Sequence, residues 1–288
     1  MLEAFEQHRP LLFSIAYRML GTATDAEDIV QETYLRAQQR AQATPLEAVQ
    51  SPKAFLATIA TRLCLDRLKS AQVQRETYIG PWLPEPIATQ TEDNPEERAE
   101  LKDSISMAFL TLLERLNPVE RAVFLLRQVF DYDYRDIAPI VDKSESACRQ
   151  IFHRAQEFIR ANRPRLPVTQ AAHSQLLQSF IGAMLNGDLD GLTHLLHESI
   201  TSWSDGGGNA NAGRRPITGR DAVARLMLGI RKFAVPDSVV SIEEVNGWPA
   251  IVVRAGAMVQ AVINIETNGQ HIIAIRSVVN PDKLRHFS

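Results

Sequence analysis

The sequence predicts a multidomain protein: two all-α helical modules, the second a helix-turn-helix, followed by an α+β domain. Three observations lead to this fold class. Residues 1–71 show helical periodicity throughout, residues 104–166 resume it after an acidic interruption, and the remainder changes from helical to strand-like patterns. Helices followed by strands are typical of an α+β domain in which a curved sheet folds over helices.

The first module, residues 1–71, reads as three helices. Apolar residues at helical spacing mark a first helix that ends near Gly21 and a second with acidic and amide side chains on its outer face. Ser51 followed by Pro52 is an N-cap with proline at the first helical position, so a long third helix begins there. Its outer face is basic, through Arg62, Arg67, Lys69 and Arg75.

Residues 72–103 read as a linker, because they are acidic, contain several prolines and show no sustained period. The segment from Gly80 to Pro86 is too apolar for a solvated tether. A tryptophan and a leucine held between prolines indicate a segment that docks on a surface, with local packing against its own domain as the alternative.

Residues 104–166 contain the helix-turn-helix. We expect Asp133 to cap a helix over Tyr134 to Val141, the Asp142-Lys143 turn to end it, and Ser144 to cap the next helix. The alternative is an ordinary helical hairpin with a solvated charged side, since the usual turn glycine is absent and Pro139 falls inside the first helix. The outer face of the second helix carries Glu145, Ser146, Arg149, Gln150, His153 and Arg154. These residue types can donate to base edges and phosphates, as in a groove-reading helix.

Residues 171–288 form the α+β domain. Helices are predicted at Ala171–Asn186, Asp188–Glu198 and Gly219–Ala234, and strands at Val239–Val245, Ala250–Arg254, Val259–Glu266 and Ile272–Val279. The Asn246-Gly247 and Asn268-Gly269 pairs are strong hairpin turns. We therefore expect an antiparallel sheet.

Composition narrows the function classes. A hydrophobic fraction of 45% and a charged fraction of 23% over 288 residues are typical of a globular protein. The net charge of -3 argues against a uniformly basic nucleic-acid binder, so particular faces meet polyanions. Cys64 and Cys148 lie on apolar stripes of different helices, which favours reduced buried thiols in the cytoplasm and no metal site. No stretch approaches the length of a membrane span.

The order of acidic helix, basic helix, linker and helix-turn-helix resembles an extracytoplasmic-function (ECF) RNA polymerase sigma factor. DAEDIVQETYLRA is similar to the family's polymerase-binding helix, SPKAFLATIATRLCLDRLKSAQVQRE to its minus-10 helix, and LNPVERAVFLLRQVFDYDYRDIAPIVDKSESACRQIFHRA to its minus-35 domain. The resemblance implies sigma region 2 at 1–71 and sigma region 4 at 104–166. Within region 2, Thr61 stands where many members carry an amide near the melted promoter.

Three short segments resemble the ECF subgroup with a fused C-terminal SnoaL-like domain, a cone-shaped fold. They are WLPEP in the linker and DGGG and NPDKL at the two ends of residues 171–288. Asn209 follows the glycines where the subgroup often has lysine. We interpret the three segments as one interdomain regulatory constellation: Trp82, Leu83, Pro84, Glu85, Pro86, Asp205, Gly206, Gly207, Gly208, Asn280, Pro281, Asp282, Lys283 and Leu284.

The resemblance implies a sigma factor that binds core RNA polymerase and directs promoter-specific transcription initiation, regulated by its fused domain. Such a protein needs no cofactor, no catalytic residue, no membrane and no separate anti-sigma factor. The expected polymerase contacts are Asp25, Asp28, Gln31 and Glu32. The expected DNA contacts are Arg62, Arg67, Lys69 and Arg75 at the minus-10 element and Ser144, Ser146, Arg149, Gln150, His153 and Arg154 at the minus-35 element.

Two other functions stay open from the sequence. The first is a SnoaL-like enzyme or ligand-binding domain tethered to a DNA-binding module, with His194, His197, Asp205 and His271 as imaginable acid-base groups. We expect His194 and His197 to share a helix as surface or cap residues. The second is a one-component repressor that uses the helix-turn-helix alone, which the acidic and basic helices of the first module argue against.

Overall fold

The computed structural model describes residues 2–43, 51–89, 105–162, 168–210, 212–230, 236–285 and 287. The chain divides into two compact units. The helical unit comprises Met1–Thr77 and Phe109–Arg163, and the C-terminal unit comprises Tyr78–Ala108 and Pro164–Ser288. Residues 78–89 of the linker therefore belong to the C-terminal unit, while residues 72–77 belong to the helical unit.

The helical unit contains α1 (Leu2–Leu20), α2 (Ala23–Ala43) and α3 (Pro52–Glu76), followed by α4 (Met107–Leu113), α5 (Pro118–Gln128), α6 (Tyr134–Val141) and α7 (Glu145–Asn162). Helix α4 begins in the C-terminal unit and continues into the helical one. The N-cap at Ser51 is confirmed, since its hydroxyl accepts from the amide of Ala54 at 3.2 Å. Helix α3 ends at Glu76, five residues beyond the end predicted for the first module.

The helix-turn-helix of α6 and α7 forms without a turn glycine. Asp142 takes the left-handed conformation there, with φ 54° and ψ 54°. Ser144 caps α7 as expected, accepting from the amide of Ala147 at 3.2 Å. The predicted capping by Asp133 is wrong: its backbone occupies the N-cap position but its side chain makes no capping bond. Instead its carboxylate lies 3.5 Å from Arg127. Helix α6 continues through Pro139.

The C-terminal unit folds helices over a six-stranded sheet. The helices are α8 (Gln170–Asn186), α9 (Leu189–Leu195), α10 (Arg220–Ile230) and α11 (Pro281–Leu284). The strands are β1 (Leu196–Asp205), β2 (Ile217–Thr218), β3 (Val239–Val245), β4 (Trp248–Ala255), β5 (Met258–Thr267) and β6 (Ile272–Val278). The strand order is β2-β1-β6-β5-β4-β3. Strands β1 and β6 are parallel, so the expectation of a wholly antiparallel sheet is wrong.

Strands β1 and β2 are both absent from the strands that the sequence analysis predicted. The predicted helix to Glu198 ends at Leu195, and the chain passes directly into β1. His194 therefore lies on α9 and His197 on β1, not on one helix. The hairpin turn at Asn246-Gly247 is confirmed, because both residues have positive φ, 52° and 76°.

The sheet has an apolar core on each face, because successive residues of a strand point to opposite sides. Ile251, Ile263 and Ile275 pack with residues of α8, α9 and α10 such as Leu177 and Phe180. On the other face, Val252, Val262 and Val278 pack with Leu83 of the linker, Met107 and the C-terminal Leu284 and Phe287. A linker residue is therefore part of the core of this unit.

Candidate functional site

The outer face of α7 is accessible. All six residues expected to contact the minus-35 element are exposed: Ser144, Ser146, Arg149, Gln150, His153 and Arg154. Cys148, Ile151, Ala155 and Ile159 form its buried side. The helix thus has the amphipathic form that a groove-reading helix requires.

The side chains of Arg149 and His153 already have partners on the same unit. The guanidinium of Arg149 lies 3.0 Å from the carboxylate of Glu145 and 5.2 Å from the centre of the Tyr134 ring. His153 lies 3.5 Å from Glu157. These exposed contacts hold the side chains near the helix surface and are weak enough to exchange for DNA.

The acidic face of α2 is only partly free. Asp28 and Gln31 are exposed. Glu32 pairs with Arg36 at 2.8 Å. Asp25 accepts from Thr22 at 2.7 Å and from Nε of Arg67 at 3.2 Å. An expected polymerase contact and an expected DNA contact are therefore paired with each other, and hydrogen bonding to Asp25 raises the pKa of Arg67.

The basic face of α3 is likewise engaged. Nη2 of Arg62 donates to the carbonyl oxygen of Pro139 at 2.6 Å. Lys69 pairs with Asp66 at 3.1 Å. The side chain of Arg75 lies outside the described residues. Thr61 is completely buried, so it does not offer a polar group at the surface.

The WLPEP, DGGG and NPDKL segments meet in the C-terminal unit around one buried carboxylate. Asp205, at the end of β1, is 0% exposed. Its Oδ2 accepts from the amide of Leu83 at 2.8 Å and from Nζ of Lys283 at 2.7 Å. Its Oδ1 accepts from the hydroxyl of Tyr78. One carboxylate thus joins the linker to the C-terminal segment.

Lys283 makes three contacts with the linker, one hydrogen bond and two cation–π contacts. Its ammonium also donates to the carbonyl oxygen of Leu83. The same Nζ lies 4.1 Å from the centre of the Trp82 ring and 5.1 Å from that of Tyr78. Cation–π attraction of this kind is strongest where the cation is desolvated, and the side chain of Lys283 is only 9% exposed.

Asn280 orders the second side of this site. Its Oδ1 accepts from the amide of Asp282 at 3.1 Å and so caps α11, while its Nδ2 donates to the hydroxyl of Tyr78 at 3.0 Å. Burial, followed by hydrogen bonding to Asp205, raises the pKa of Tyr78. The phenol therefore stays protonated and keeps its role as a donor to Asp205.

The glycines of DGGG allow this close approach. Gly207 has φ 58°, and a Cβ there would lie 2.2 Å from Nδ2 of Asn280. Gly208 has φ 81°, and a Cβ there would lie 2.9 Å from Cδ1 of Ile79. A larger residue at either position would meet a neighbour and adopt an unfavourable backbone conformation. Asn209, which follows these glycines, donates through Nδ2 to the carboxylate of Asp282 at 3.1 Å.

A second set of contacts holds the far end of the linker. The buried Asn246, in the β3–β4 turn, accepts from the amide of Ile87 at 3.3 Å and donates to the carbonyl of Ile105 at 3.0 Å. Ala88 bridges to Val245 in antiparallel fashion, and the amide of Thr89 donates to the carbonyl of Glu244 at 3.0 Å. Residues before and after the undescribed part of the linker are thus both bound to one side chain.

Tyr78 and Asn246 also bind the linker to the C-terminal unit, and the sequence analysis did not select either of them for this contact. Tyr78 lies four residues before the WLPEP segment. The one signal in the sequence that could have indicated its role is an aromatic side chain beside an apolar part of the linker. Asn246 was predicted as a turn residue and does lie in the β3–β4 turn, but its side chain also binds the backbone of Ile87 and Ile105. Of the residues considered as acid-base groups, Asp205 already accepts three hydrogen bonds, and the half-buried rings of His197 and His271 lie 6.2 Å from each other.

The described residues hold no group of three or more histidine, cysteine, aspartate or glutamate side chains suited to a metal ion. Both cysteines are free and buried. Within the described part of the chain, no helix has the length and apolar character needed to cross a membrane.

Comparison with known proteins assigns the family. Residues 4–73 match Sigma-70 region 2, and residues 106–158 match Sigma-70 region 4. The ECF RNA polymerase sigma factor SigJ of Mycobacterium tuberculosis is 37% identical over 79% of this chain and 71% of its own length. The probable ECF sigma factor SigI of the same species is 32% identical over 98% of this chain and 93% of its own.

The crystal structure of M. tuberculosis SigJ covers 100% of this chain and 99% of its own, with a TM-score of 0.77 and 31% identity. Two sigma regions followed by a helix-plus-sheet domain define the class of the protein as a sigma factor with a fused C-terminal α+β domain. The chain belongs to the ECF RNA polymerase sigma factors. It is accordingly a transcription factor whose family binds core RNA polymerase and promoter DNA.

Proposed function

We propose that this ECF sigma factor uses α2 to bind core RNA polymerase, α3 to contact the minus-10 element and α7 to contact the minus-35 element. The support is the exposure of α7 and the signs of charge on α2 and α3. Acidic residues on α2 suit a basic polymerase surface. Arginines on α3 suit phosphates, which position a protein on DNA without specifying the sequence. Bacterial transcription would place its action in the cytoplasm.

We further propose that the fused domain regulates initiation by holding the linker. The observation that carries this proposal is the buried pair of Asp205 and Lys283, whose charged atoms both bind the backbone of Leu83. The linker joins region 2 to region 4 in the chain, so a bound linker shortens the chain available between them. The domain would then act without catalysis and without a separate anti-sigma factor.

The direct test is run-off transcription by the full-length protein with purified core polymerase, on an unselected library of fragments of the host genome. We expect Trp82→Ala and Lys283→Met to change the yield in the same direction, because each removes one side of the same cation–π contact. Arg285→Ala is the matched control: this cation lies two residues after Lys283 but is 71% exposed.

Cross-linking between positions near Leu83 and near Lys283 reports docking in solution. Loss of the cross-link in the Trp82 variant together with altered transcription supports the regulatory role. Unchanged transcription in both variants, with the cross-link lost, contradicts it. No transcription by the wild-type holoenzyme on any fragment would contradict the initiation function itself.

A further inference from the structure

Two arginines in the helical unit cap helices of the opposite sigma region. Arg62, on α3 of region 2, donates through Nη2 to the carbonyl of Pro139 at 2.6 Å and through Nε to that of Ile140 at 3.5 Å, both near the end of α6 in region 4. Arg121, on α5 of region 4, donates to the carbonyl of Met19 at 2.6 Å, near the end of α1 in region 2. The two contacts are reciprocal.

The chemistry of both contacts is the same. The last four carbonyls of a helix have no partner inside the helix, and they lie at the negative end of its dipole. At the end of α6, the amide of Lys143 binds the carbonyl of Ala138, which leaves those of Pro139 and Ile140 to Arg62. At the end of α1, the amide of Gly21 binds the carbonyl of Tyr17, which leaves that of Met19 to Arg121. A guanidinium satisfies these carbonyls and matches their charge.

Arg121 is buried and Arg62 is exposed, so the first has a structural role and the second can change partners. Arg121 is 3% exposed, it also pairs with Glu114 at 2.7 Å, and burial lowers its pKa to about 10. A buried and paired arginine is a fixed part of the packing between the two regions. Arg62 is exposed. Its contact with the carbonyls of α6 faces water, so another anion or dipole can replace it.

Arg62 is also one of the arginines expected to bind the phosphates of the minus-10 element. We propose that Arg62 is a switch residue: one guanidinium holds the end of α6 in the free protein and a DNA phosphate in the promoter complex, so the two compete. This inference rests on the proposed function in assigning α3 to DNA. A phosphodiester carries a full negative charge, whereas a helix end carries a partial one, so DNA is the stronger ligand.

The side chain of Arg62 then controls two properties, the attachment of α6 to α3 and the affinity for DNA. Binding of DNA at α3 releases the end of α6, the first helix of the helix-turn-helix, from Arg62 of α3, while the buried contact of Arg121 stays in place. Removal of the Arg62 side chain releases α6 without DNA and weakens DNA binding at the same time. Lys69 is the matched control, since this exposed cation is on the same helix and pairs with Asp66 of that helix. Its removal should weaken DNA binding only.

The experiment measures distances by double electron–electron resonance in the full-length protein, with spin labels at Ser70→Cys and Lys143→Cys. Both positions are exposed, whereas Cys64 and Cys148 are buried and label poorly. The DNA probe is a mixed-sequence duplex at low salt, because phosphate contacts do not depend on sequence. Thermal unfolding confirms that each variant remains folded.

We expect the duplex to shift the wild-type label distances to longer values. Arg62→Ala should raise the fraction of long distances without DNA about tenfold, the effect of losing a charged hydrogen bond, and Arg62→Lys should give an intermediate value. Arg62→Ala and Lys69→Ala should each reduce the slope of log affinity against log salt by about one. Lys69→Ala should leave the distances of the free protein as in the wild type.

Each outcome decides one claim. Unchanged distances in Arg62→Ala overturn the lock between α3 and α6. Unchanged wild-type distances on a saturating duplex overturn the competition. If Arg62→Ala releases α6 but neither variant alters DNA affinity, the assignment of α3 to DNA in the proposed function fails. That result would also overturn the switch to phosphate, but it would support the contact of Arg62 with the end of α6.

Discussion

The expected recognition residues of the helical unit and the residues that hold the linker in the C-terminal unit form ion pairs that differ in burial. On the helical unit, the pairs of Arg67 with Asp25 and of Arg149 with Glu145 are largely exposed. Exposed pairs of this kind contribute about 0–1 kcal/mol, so a polymerase or a DNA duplex can replace them. In the C-terminal unit, Asp205 and Lys283 are buried. We therefore expect the recognition residues to act singly, and the docking of the linker to depend on several buried contacts together.

The largest expected effect tests these buried contacts directly. Asp205→Asn keeps the size of the side chain but leaves the ammonium of Lys283 buried without a counter-charge. Removing one partner of a buried pair costs about 3–5 kcal/mol, so we expect a loss of that size in the unfolding free energy of the C-terminal unit, measured by chemical denaturation. Asp282→Asn, at a partly exposed carboxylate in the same segment, is the control. A loss equal to that of the control would remove the distinction between the two units.

A smaller effect is expected at the glycine loop. Gly207→Ala should destabilise the C-terminal unit by about 2 kcal/mol or more, because the left-handed backbone costs about 1–2 kcal/mol and the new methyl group meets Asn280. Gly256→Ala separates the two causes, since Gly256 has the same φ of 58° but nothing within 4 Å of its Cβ position. Equal thermal stability of the two variants would mean that contact with Asn280 does not matter.

The sequence predicted most of what lies on helices and hairpins, because those elements depend on local patterns. The caps at Ser51 and Ser144 and the turn at Asn246-Gly247 are examples confirmed by their contacts. Strand β1 was missed because its residues Ser199 to Asp205 are mainly small and polar, and its burial depends on parallel pairing with β6, about seventy residues further along. Propensity alone does not report such a contact.

At the site around Asp205, too, contacts between residues far apart in the chain could not be predicted from local sequence patterns. The resemblance selected Asp205 and Lys283, which do lie together, although no spacing in the chain could have paired them. Tyr78 was missed because its role comes from bonds to residues more than a hundred positions away. The contacts of Arg62 with the carbonyl oxygens of Pro139 and Ile140 were not predicted, because the carbonyls at a helix end have no signature in the sequence. The sequence analysis therefore predicted only a contact between Arg62 and a DNA phosphate.

The smallest effect on stability, and the sharpest contrast with Asp205, is expected on α7. Arg154→Ala and Arg149→Ala should each leave the unfolding free energy within about 0.5 kcal/mol of wild type, because both side chains are exposed. Each should weaken binding of a minus-35 duplex by about 1–3 kcal/mol where the side chain reads a base. Arg160→Ala, in the last turn of the same helix, controls for the loss of one positive charge. Footprints and run-off yields that match those of Arg160→Ala in both variants would contradict the assignment of this face to promoter DNA. Reduced binding with unchanged stability would show that recognition in the helical unit is carried by single exposed residues.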